Sequence, residues 1–554
     1  MTEWLPPERS EHGAANRRLR RSVPMHADDH WLHANWYELP RGDSTLPEVY
    51  TYTDALSYAP GEEVRFHASC SAPDWSLQVY RDGLRPQILH STEGLPGGFV
   101  PAPKAAYRVG CGWPVRHAWR LRLDMPSGFY RVVSICQRPD GTRFLQHHFF
   151  VVRPTPNARR GRLLMVLPTA TWTAYNDWGG ANHYEGIDGP EGDQASPILS
   201  LLRPWARGIV WLPAGAPRIC EPPPEPGAAP RYPVREWAYA NGFTQYSSSA
   251  GWAQFDRHFL SWAEREGYAL DMATQTDLEF RPGLLDSYRC IVVVGHDEYW
   301  SAAMRSAVES FVWSGGRVAR FGGNILWQVR LEGGGESQVC YKFRAPQEDP
   351  VRGTEQERLL TTLWEAPEVN WPGASTFGVN GMKGLYAGWG GFAPHGQRGF
   401  TVYRPDHWVF AGTELCYGDV FGAEARIFGY EVDGLDYTFA DGLPYPTGRD
   451  GASTEIEILA MAPAVLAEHH HHGDGFRTYI GDSDLHALVK LMTGSTEVSA
   501  LARYRYGAGM LVSMRKGRGE IVTAGSCEWV MGLARNDPVT QQITRNVLDR
   551  FLSS

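Results

Sequence analysis

The sequence has no long apolar run, no strong excess of one charge and no apolar leader. No segment approaches the roughly 20 apolar residues that a membrane-spanning helix needs. The net charge is −9, with acidic and basic residues interspersed, which argues against a surface for nucleic acid or anionic membrane. The arginines near the start are followed by polar residues, unlike a secretory or twin-arginine signal. We therefore expect no membrane or nucleic-acid partner, and we expect the protein to be cytoplasmic. We also expect a homo-oligomer that binds a small molecule.

Cysteine is sparse, and paired cysteine motifs are missing. The chain has 8 cysteines among 554 residues, and no two of them form a CxxC pair. They stand at positions 70, 111, 136, 220, 290, 340, 416 and 527. Such spacing indicates reduced, mostly buried thiols, and it argues against a disulfide framework or a zinc site.

The motifs of nucleotide-binding and acyl-transfer enzymes are missing as well. The sequence contains no GxxxxGK[ST] loop and no GxGxxG motif that opens a helix. No Ser or Cys stands at a predicted strand-to-helix turn, where a nucleophile elbow would require one. Nucleotide binding and a covalent acyl-enzyme are therefore disfavoured.

The pattern of the residues that are present changes along the chain. At 554 residues the chain is too long for one core. Residues 1–45 predict an N-terminal arm, where His26, His30 and His33 are better interpreted as surface histidines than as a metal cluster. Residues 46–155 show short alternating strands about ten residues apart, which is typical of an immunoglobulin-like β-sandwich. We expect this domain to pack on the next one and to carry no chemistry.

From residue 160 to 554 the pattern predicts a doubly wound parallel α/β sheet. Apolar strands alternate with amphipathic helices, and right-handed crossovers are expected. Residues 335–450 lack helical periodicity and are rich in Gly, Trp and Tyr, which indicates β-rich insertions. The predicted strands are 162–168, 269–274, 290–294 and 317–321, and the predicted helices are 255–267, 301–313 and 539–551. A Pro-rich insert at 221–230 and a histidine run at 469–472 are predicted loops.

Three loops with polar side chains leave the carboxyl ends of these strands. They span residues 175–184, 296–300 and 322–324 and supply tyrosine, histidine, aspartate, glutamate and asparagine. Ligands of open α/β sheets collect at the carboxyl ends of the strands, so the three loops are expected to meet in one site.

The donor types in these loops suggest a metal. Without a nucleophile, a metal-activated water is the usual route to hydrolysis. Phenolate and carboxylate oxygens suit a hard Lewis acid such as ferric iron, and a bound cation would lower a phenol pKa from its usual value near 10. The alternative for Tyr175 and Tyr184 is ordinary aromatic packing, which composition alone favours.

Several motifs, in the same order, resemble the large subunit of N,N-dimethylformamidase and its relatives. The resemblance runs from about Gly161 to the C-terminus. It implies a glutamine-amidotransferase-like α/β domain, preceded in several members by a sandwich domain. The motifs are Ala174–Asn176, Trp178–Tyr184, Gly295–Trp300, Phe321–Asn324, Gly517–Glu520 and Arg545–Phe551.

The resemblance implies a mononuclear iron, expected as Fe(III), held by two tyrosines and one glutamate. By position, Glu298 matches the carboxylate ligand, Tyr175 the first phenolate and Tyr184 the second, although the spacing of the tyrosines differs in dimethylformamidase itself.

The same resemblance implies three catalytic residues. His296 and Asn324 would stabilise the substrate oxygen, and Glu431 is the best match for the general base. The match of Glu431 rests on approximate spacing, and Asp297, Glu424 and Asp433 remain rival bases.

The implied reaction is attack of water on the carbon–nitrogen bond of a small amide. Trp172, Trp178, Trp300 and Trp327 would make the pocket apolar, although core packing is the more common role of each. Dimethylformamidase has a longer large subunit and a small subunit, so the substrate and the need for a second subunit stay open.

Three alternatives stand beside this hypothesis. The first is a metal-free hydrolase in which Glu298 and His296 act as base and acid. The second is a lyase on the same site, and the third is a non-catalytic protein that binds a partner through its sandwich domain.

Overall fold

The computed structural model describes residues 37–154, 163–187, 194–219, 233–387, 398–466 and 482–553. His26, His30 and His33, the insert at 221–230 and the run at 469–472 lie outside these residues. The strands are β1 (Val49–Thr53), β2 (Ser57–Tyr58), β3 (Glu63–Arg81), β4 (Gln87–Gly98), β5 (Val115–Arg120), β6 (Gly128–Gln137), β7 (Arg143–Val152), β8 (Leu163–Leu167), β9 (Ile198–Ser200), β10 (Leu270–Thr274), β11 (Cys290–His296), β12 (Tyr299–Ser301), β13 (Arg317–Gly323), β14 (Trp327–Glu332), β15 (Ser337–Val339), β16 (Asn380–Ala387), β17 (Phe400–Val402), β18 (Val420–Phe421), β19 (Tyr430–Gly434), β20 (Tyr437–Ala440), β21 (Leu443–Pro446), β22 (Glu457–Val465), β23 (Tyr506–Lys516) and β24 (Gly519–Gly525).

The helices include several of only one turn. They are α1 (Ala106–Val109), α2 (Thr169–Tyr175), α3 (Pro233–Asn241), α4 (Arg257–Arg265), α5 (Gln275–Phe280), α6 (Ala302–Trp313), α7 (Ala345–Glu348), α8 (Ala374–Phe377), α9 (Asp482–Thr493), α10 (Val498–Arg505), α11 (Trp529–Ala534) and α12 (Pro538–Ser553). A π-helical turn at Trp252–Asp256 leads directly into α4, where the sequence predicted one continuous helix from residue 255. Among the described residues, no helix is both long and apolar enough to cross a bilayer.

The first strands, β1 to β7, form one antiparallel-rich sheet built around the long strand β3. Its first half pairs with β1 and β5, and its second half pairs with β4 and β6. Because successive side chains of a strand face opposite sides, the alternating pattern of β3 buries one face and leaves the other polar. The predicted β-rich character is confirmed, but the strands are not all short, since β3 has 19 residues and β4 has 12. The immunoglobulin-like assignment stays a prediction.

The centre of the second sheet is parallel. The order β10–β8–β11–β13–β24 is parallel throughout. Every residue of β11 is buried, as expected for a central strand covered on both faces. The helix α6 covers this region, and its N-cap is the predicted Ser301, whose Oγ accepts the Met304 N–H at 3.1 Å.

The rest of this sheet differs from the predicted architecture. Beyond β24 the order continues as β23–β22–β16–β19, and these neighbours pair antiparallel. Part of the region predicted as insertions therefore extends the central sheet, which makes the sheet mixed. A bridge between Val432 in β19 and Ser526, just after β24, brings the last strand back to the carboxyl ends of the parallel strands.

The N-terminal sheet packs against the helical segments and the edge strand of the second sheet. The ring of Phe129 stacks on Trp252 with centroids 3.8 Å apart. Asp82 accepts hydrogen bonds from Trp252 and Arg257, and the Ser127 hydroxyl accepts the Met272 N–H at 2.8 Å. The contacts of Phe129 and Asp82 support the π-helical turn, which packs behind β11, and the start of α4, whereas the contact of Ser127 supports the edge strand β10.

Candidate active site

The carboxyl ends of the parallel strands bring the predicted site residues together. In register, His296 lies opposite Gly323, and Gly322 lies opposite Gly525, so β11, β13 and β24 end side by side. The helix α2 after β8 ends at Tyr175, and β19 adds Glu431 from the antiparallel side. The predicted site residues in this cluster are Tyr175, Tyr184, His296, Glu298, Asn324 and Glu431.

Three oxygen atoms form a triangle in the cluster. The Tyr184 hydroxyl lies 2.8 Å from the Tyr175 hydroxyl and 2.7 Å from Glu298 Oε2. The third side, from the Tyr175 hydroxyl to Glu298 Oε2, measures 3.0 Å. Oxygen ligands at about 2.0–2.1 Å in octahedral geometry have neighbours roughly 2.9 Å apart, so this spacing fits three ligands of one small cation. The same spacing also satisfies hydrogen bonds.

Tyr175 and Tyr184 are nine residues apart in sequence, and a short turn brings them into contact. The Asn182 side chain accepts the Tyr184 N–H at 2.8 Å and donates to the Tyr175 carbonyl at 3.3 Å. His183 donates its backbone N–H to the Ala174 carbonyl. The sequence Ala-Asn-His-Tyr therefore folds back onto the end of α2, which fixes both phenol groups on one side.

Burial sets the protonation of the phenols. It raises the pKa of Tyr175 and of Tyr184 well above the usual value for a phenol, and the Glu298 carboxylate raises both further. Both hydroxyls therefore carry their protons in this arrangement, and a phenolate here requires a nearby positive charge.

His296 lies between two carboxylates. Its Nε2 is 2.6 Å from Glu431 Oε2 and 3.4 Å from Glu298 Oε2. Its Nδ1 donates to the Ser249 carbonyl at 2.6 Å, which leaves Nε2 facing the carboxylates.

The pKa shifts follow from this arrangement. Burial lowers the pKa of His296, but Glu431 and Glu298 outweigh it and raise that pKa to about 10. Burial raises the pKa of Glu298, yet His296 and Lys342 hold it below its ordinary value. Burial keeps the pKa of Glu431 raised, although His296 and Asn324 act to lower it. The histidine is therefore a cation that stabilises Glu298 as a carboxylate.

Close backbone approach explains two glycines of the motifs. Gly295 has φ of 71°, and a Cβ there would lie 2.3 Å from Cβ of Phe255. A Cβ on Gly323 would lie 2.4 Å from the Glu431 carbonyl oxygen. Only glycine lets Phe255 pack behind His296 and lets β19 approach β13.

A buried ion network positions Asn324. Asn324 has φ of 69°, and its backbone N–H donates to Asp433 Oδ1 at 2.8 Å. Arg320 bonds Asp433 at 2.7 Å and pairs with Asp297 through two further hydrogen bonds. All three charged side chains are fully buried. Arg320 therefore ties the loop of Glu298 to the strand of Glu431.

We expect Arg320→Met to destabilise the fold by about 3–5 kcal/mol, because it leaves two buried carboxylates without their counter-ion. Urea denaturation measures this free energy of unfolding. The matched control is Arg65→Met, since Arg65 is exposed in its pair with Glu63 and should change stability by less than about 1 kcal/mol. Equal effects of the two changes would show that the buried network does not hold these loops.

The contacts of Arg320 distinguish the rival candidates for the general base. Asp297 and Asp433 are both engaged by Arg320, and Asp433 also accepts two backbone N–H groups. Glu424 is exposed on a loop. Among the four carboxylates considered, Glu431 is the one that faces Glu298 and His296.

Several residues around the triangle are not indicated by the sequence. The hydroxyl of Tyr299 lies 2.8 Å from the Tyr184 hydroxyl. The Lys342 ammonium lies 3.4 Å from the centroid of the Tyr184 ring. The rings of Tyr246 and Tyr430 pack on Tyr175 and His296 respectively. Nothing in the local sequence around Lys342 or Tyr246 indicates these contacts.

A cysteine also lies in the cluster. Cys527 follows β24, and its backbone N–H donates to the Glu431 carbonyl at 3.1 Å. The rule that placed the other loops at the carboxyl ends of parallel strands could have indicated this residue too.

The predicted tryptophan lining is mostly elsewhere. Trp172 packs on Phe149, and Trp178 packs on Trp113, so both face the N-terminal sheet. Trp300 packs on Phe377. Trp327 is near the cluster through Lys342, whose ammonium lies 4.8 Å from the Trp327 ring. Tyrosines, more than tryptophans, surround the oxygen triangle.

Two solved structures are similar to a small part of this chain. Spo0M, a sporulation control protein from Bacillus subtilis, is 21% identical, with a TM-score of 0.15, over 20% of this chain and 51% of that one. Murine CRIg is 14% identical, with a TM-score of 0.14, over 19% of this chain and 96% of that one. Scores this low assign no shared fold.

Known sequences match over much more of the chain. The chain is 26% identical over 323 residues to the N,N-dimethylformamidase beta subunits of an Alcaligenes species and of Paracoccus aminophilus. Each match covers 54% of this chain and 36% of the relative, so it spans about a third of those relatives. A family model described as N,N-dimethylformamidase beta subunit-like, C-terminal, matches residues 76–542, and it begins earlier than the motifs predicted. The chain belongs to the N,N-dimethylformamidase beta subunit-like family.

Proposed function

We propose that this chain is an iron-dependent hydrolase of the carbon–nitrogen bond in a small, uncharged amide. The observation that carries the proposal is the triangle of the Tyr175, Tyr184 and Glu298 oxygens, with sides of 2.7 to 3.0 Å. Its hard oxygen donors fit a ferric ion, which would supply the positive charge that two buried phenolates require. The relatives named as dimethylformamidase subunits support the reaction class.

In the proposed mechanism Glu431 transfers the proton, and His296 and Asn324 stabilise the developing negative charge. Bound iron would supply Lewis-acid polarisation of the amide carbonyl. Glu431 takes the proton of the attacking water, and its raised pKa brings its basicity closer to neutral pH. The Nε2–H of His296 and the amide of Asn324 stabilise the oxyanion of the tetrahedral intermediate. Glu431 then returns the proton to the departing amine.

Unfilled hydrogen-bonding capacity in the cluster supports a polar occupant. His296 Nε2, Glu431 Oε2 and Asn324 Oδ1 are buried and complete no hydrogen bond, although the first two atoms lie close together. A buried polar atom without a partner costs about 1–3 kcal/mol, which a bound amide and water would recover. The surrounding Tyr246, Tyr299 and Tyr430 rings favour a small substrate without charge.

The names of the relatives bear on whether this chain assembles with other chains. Because those proteins are named as beta subunits, we propose that this chain also assembles, either with a second kind of subunit or with copies of itself.

Turnover in ¹⁸O-labelled water tests the reaction class. Simple formamides and acetamides are supplied to the iron-loaded protein, and the products are analysed by mass spectrometry. Hydrolysis predicts one labelled oxygen in the carboxylate and an equimolar amine. An unlabelled product would indicate a lyase instead and would overturn the proposal.

One observation favours a metal-free hydrolase as the second candidate. The close contact of His296 with Glu431 could serve as an acid–base pair without iron. Full activity after complete removal of iron by a chelator would favour that candidate.

A further inference from the structure

A second set of possible metal ligands lies beside the oxygen triangle. His296 Nε2, Glu431 and Cys527 Sγ offer ligand atoms that lie within 4.8 Å of one another, and all three residues are buried. They come from three segments: the end of β11, the strand β19 and the turn after β24. The set therefore depends on the fold, and sequence spacing does not indicate it.

The backbone holds the cysteine at this position. The Cys527 N–H donates to the Glu431 carbonyl, and the next N–H, that of Glu528, donates to the Gly429 carbonyl at 2.9 Å. A Cβ on Gly323 would lie 3.1 Å from Cys527 Sγ, so the glycine leaves room for the thiol. The thiol is thereby fixed next to the two other donors.

Two of the three donor atoms complete no hydrogen bond. His296 Nε2 and Glu431 Oε2 are 2.6 Å apart, yet the contact lacks hydrogen-bond geometry, and both atoms are buried. The imidazole nitrogen and the carboxylate oxygen face each other at ion-pair distance with the thiol beside them, so a cation bound there would have all three as ligands. All three residues are buried, with Glu431 5% exposed and His296 1% exposed.

The donor types differ from those of the triangle. Imidazole, carboxylate and thiolate form a mixed nitrogen, oxygen and sulfur set, which suits zinc and the softer cadmium ion. Two phenolates and a carboxylate suit a hard ferric ion. The two sets would therefore select different metals although they are neighbours.

We propose that His296, Glu431 and Cys527 form a binding site for a thiophilic divalent cation such as Zn²⁺ or Cd²⁺. The Cys527 thiol and the His296 imidazolium each release one proton to solvent as the metal–sulfur bond and the metal–nitrogen bond to Nε2 form. Because the site uses His296 and Glu431, its occupation would inhibit the hydrolase; this consequence rests on the proposed function, whereas the binding does not.

The test is a titration of the full chain with CdCl₂, followed by the ultraviolet charge-transfer band of cadmium thiolate. The parent protein carries Cys416→Ser and Cys220→Ser, because Cys416 is exposed and Cys220 lies outside the described residues. We expect one Cd²⁺ per chain with the thiolate band. In a Cys527→Ser variant the band should be absent and the affinity should fall by more than the roughly 10- to 100-fold that a lost supporting contact costs.

Cys290→Ser is the matched control, since Cys290 is also fully buried in the central sheet but lies at the opposite end of β11. It should keep both the band and the stoichiometry. A band that persists in Cys527→Ser, or one that disappears equally in Cys290→Ser, overturns the proposal. Circular dichroism confirms that each variant is folded. Failure to hydrolyse any amide would leave this optical result intact, so the two proposals fail separately.

Discussion

A Glu298→Gln variant is expected to purify without iron and to lose amide hydrolysis. Glu298 Oε2 is the atom that both phenol groups approach, and it also lies 3.4 Å from the His296 ring. Glutamine keeps the volume but removes the negative charge that a ferric ligand supplies. We expect iron retention to weaken by more than about 100-fold, the upper range for loss of a mere supporting contact. Iron per chain is measured by elemental analysis.

The matched control is Glu279→Gln. Glu279 is half-buried and accepts the Ser301 hydroxyl at 2.5 Å near the start of α6, away from the triangle. That variant should retain iron and activity. Stoichiometric iron in Glu298→Gln would contradict the assigned ligand set.

A Glu431→Gln variant is expected to keep its iron but to hydrolyse the amide much more slowly. The general-base role predicts a fall in kcat of about 10²- to 10⁴-fold. The substitution leaves the oxygen triangle intact, because none of the three hydroxyl and carboxylate contacts involves Glu431. Steady-state kinetics on the iron-loaded variant separates kcat from KM, and elemental analysis confirms the metal.

Glu424→Gln provides the comparison for that variant, since Glu424 is the exposed rival base. We expect its kcat to be unchanged. If Glu431→Gln retained full kcat, or if Glu424→Gln lost as much, the assignment of the base would be wrong.

The parallel half of the second sheet could be predicted because its signals are local. The apolar run at 290–294 and the helix capped by Ser301 each follow from residues adjacent in sequence. Because ligand sites of such sheets lie at the carboxyl ends of the strands, the loops of Tyr175, His296 and Asn324 could then be predicted to meet at one edge of the sheet. The roles of these residues stay predictions, because their positions alone do not show chemistry.

The remaining features depend on contacts between distant segments. The antiparallel strands that extend the sheet carry Glu431 back to the site through the bridge of Val432 with Ser526, which no periodicity reveals. Arg320 lies between apolar residues of β13, and its two carboxylate partners are 23 and 113 residues away. Local pattern describes an element, whereas charge pairing across the core is decided by the tertiary fold.

The visible absorption spectrum of the purified chain, measured together with its iron content, tests the central claim most directly. Two tyrosinate ligands on one ferric ion predict a strong charge-transfer colour, with one iron per chain. The colour should disappear on reduction or chelation and should weaken in both Tyr175→Phe and Tyr184→Phe. A colourless protein that contains stoichiometric ferric iron would contradict the tyrosinate site.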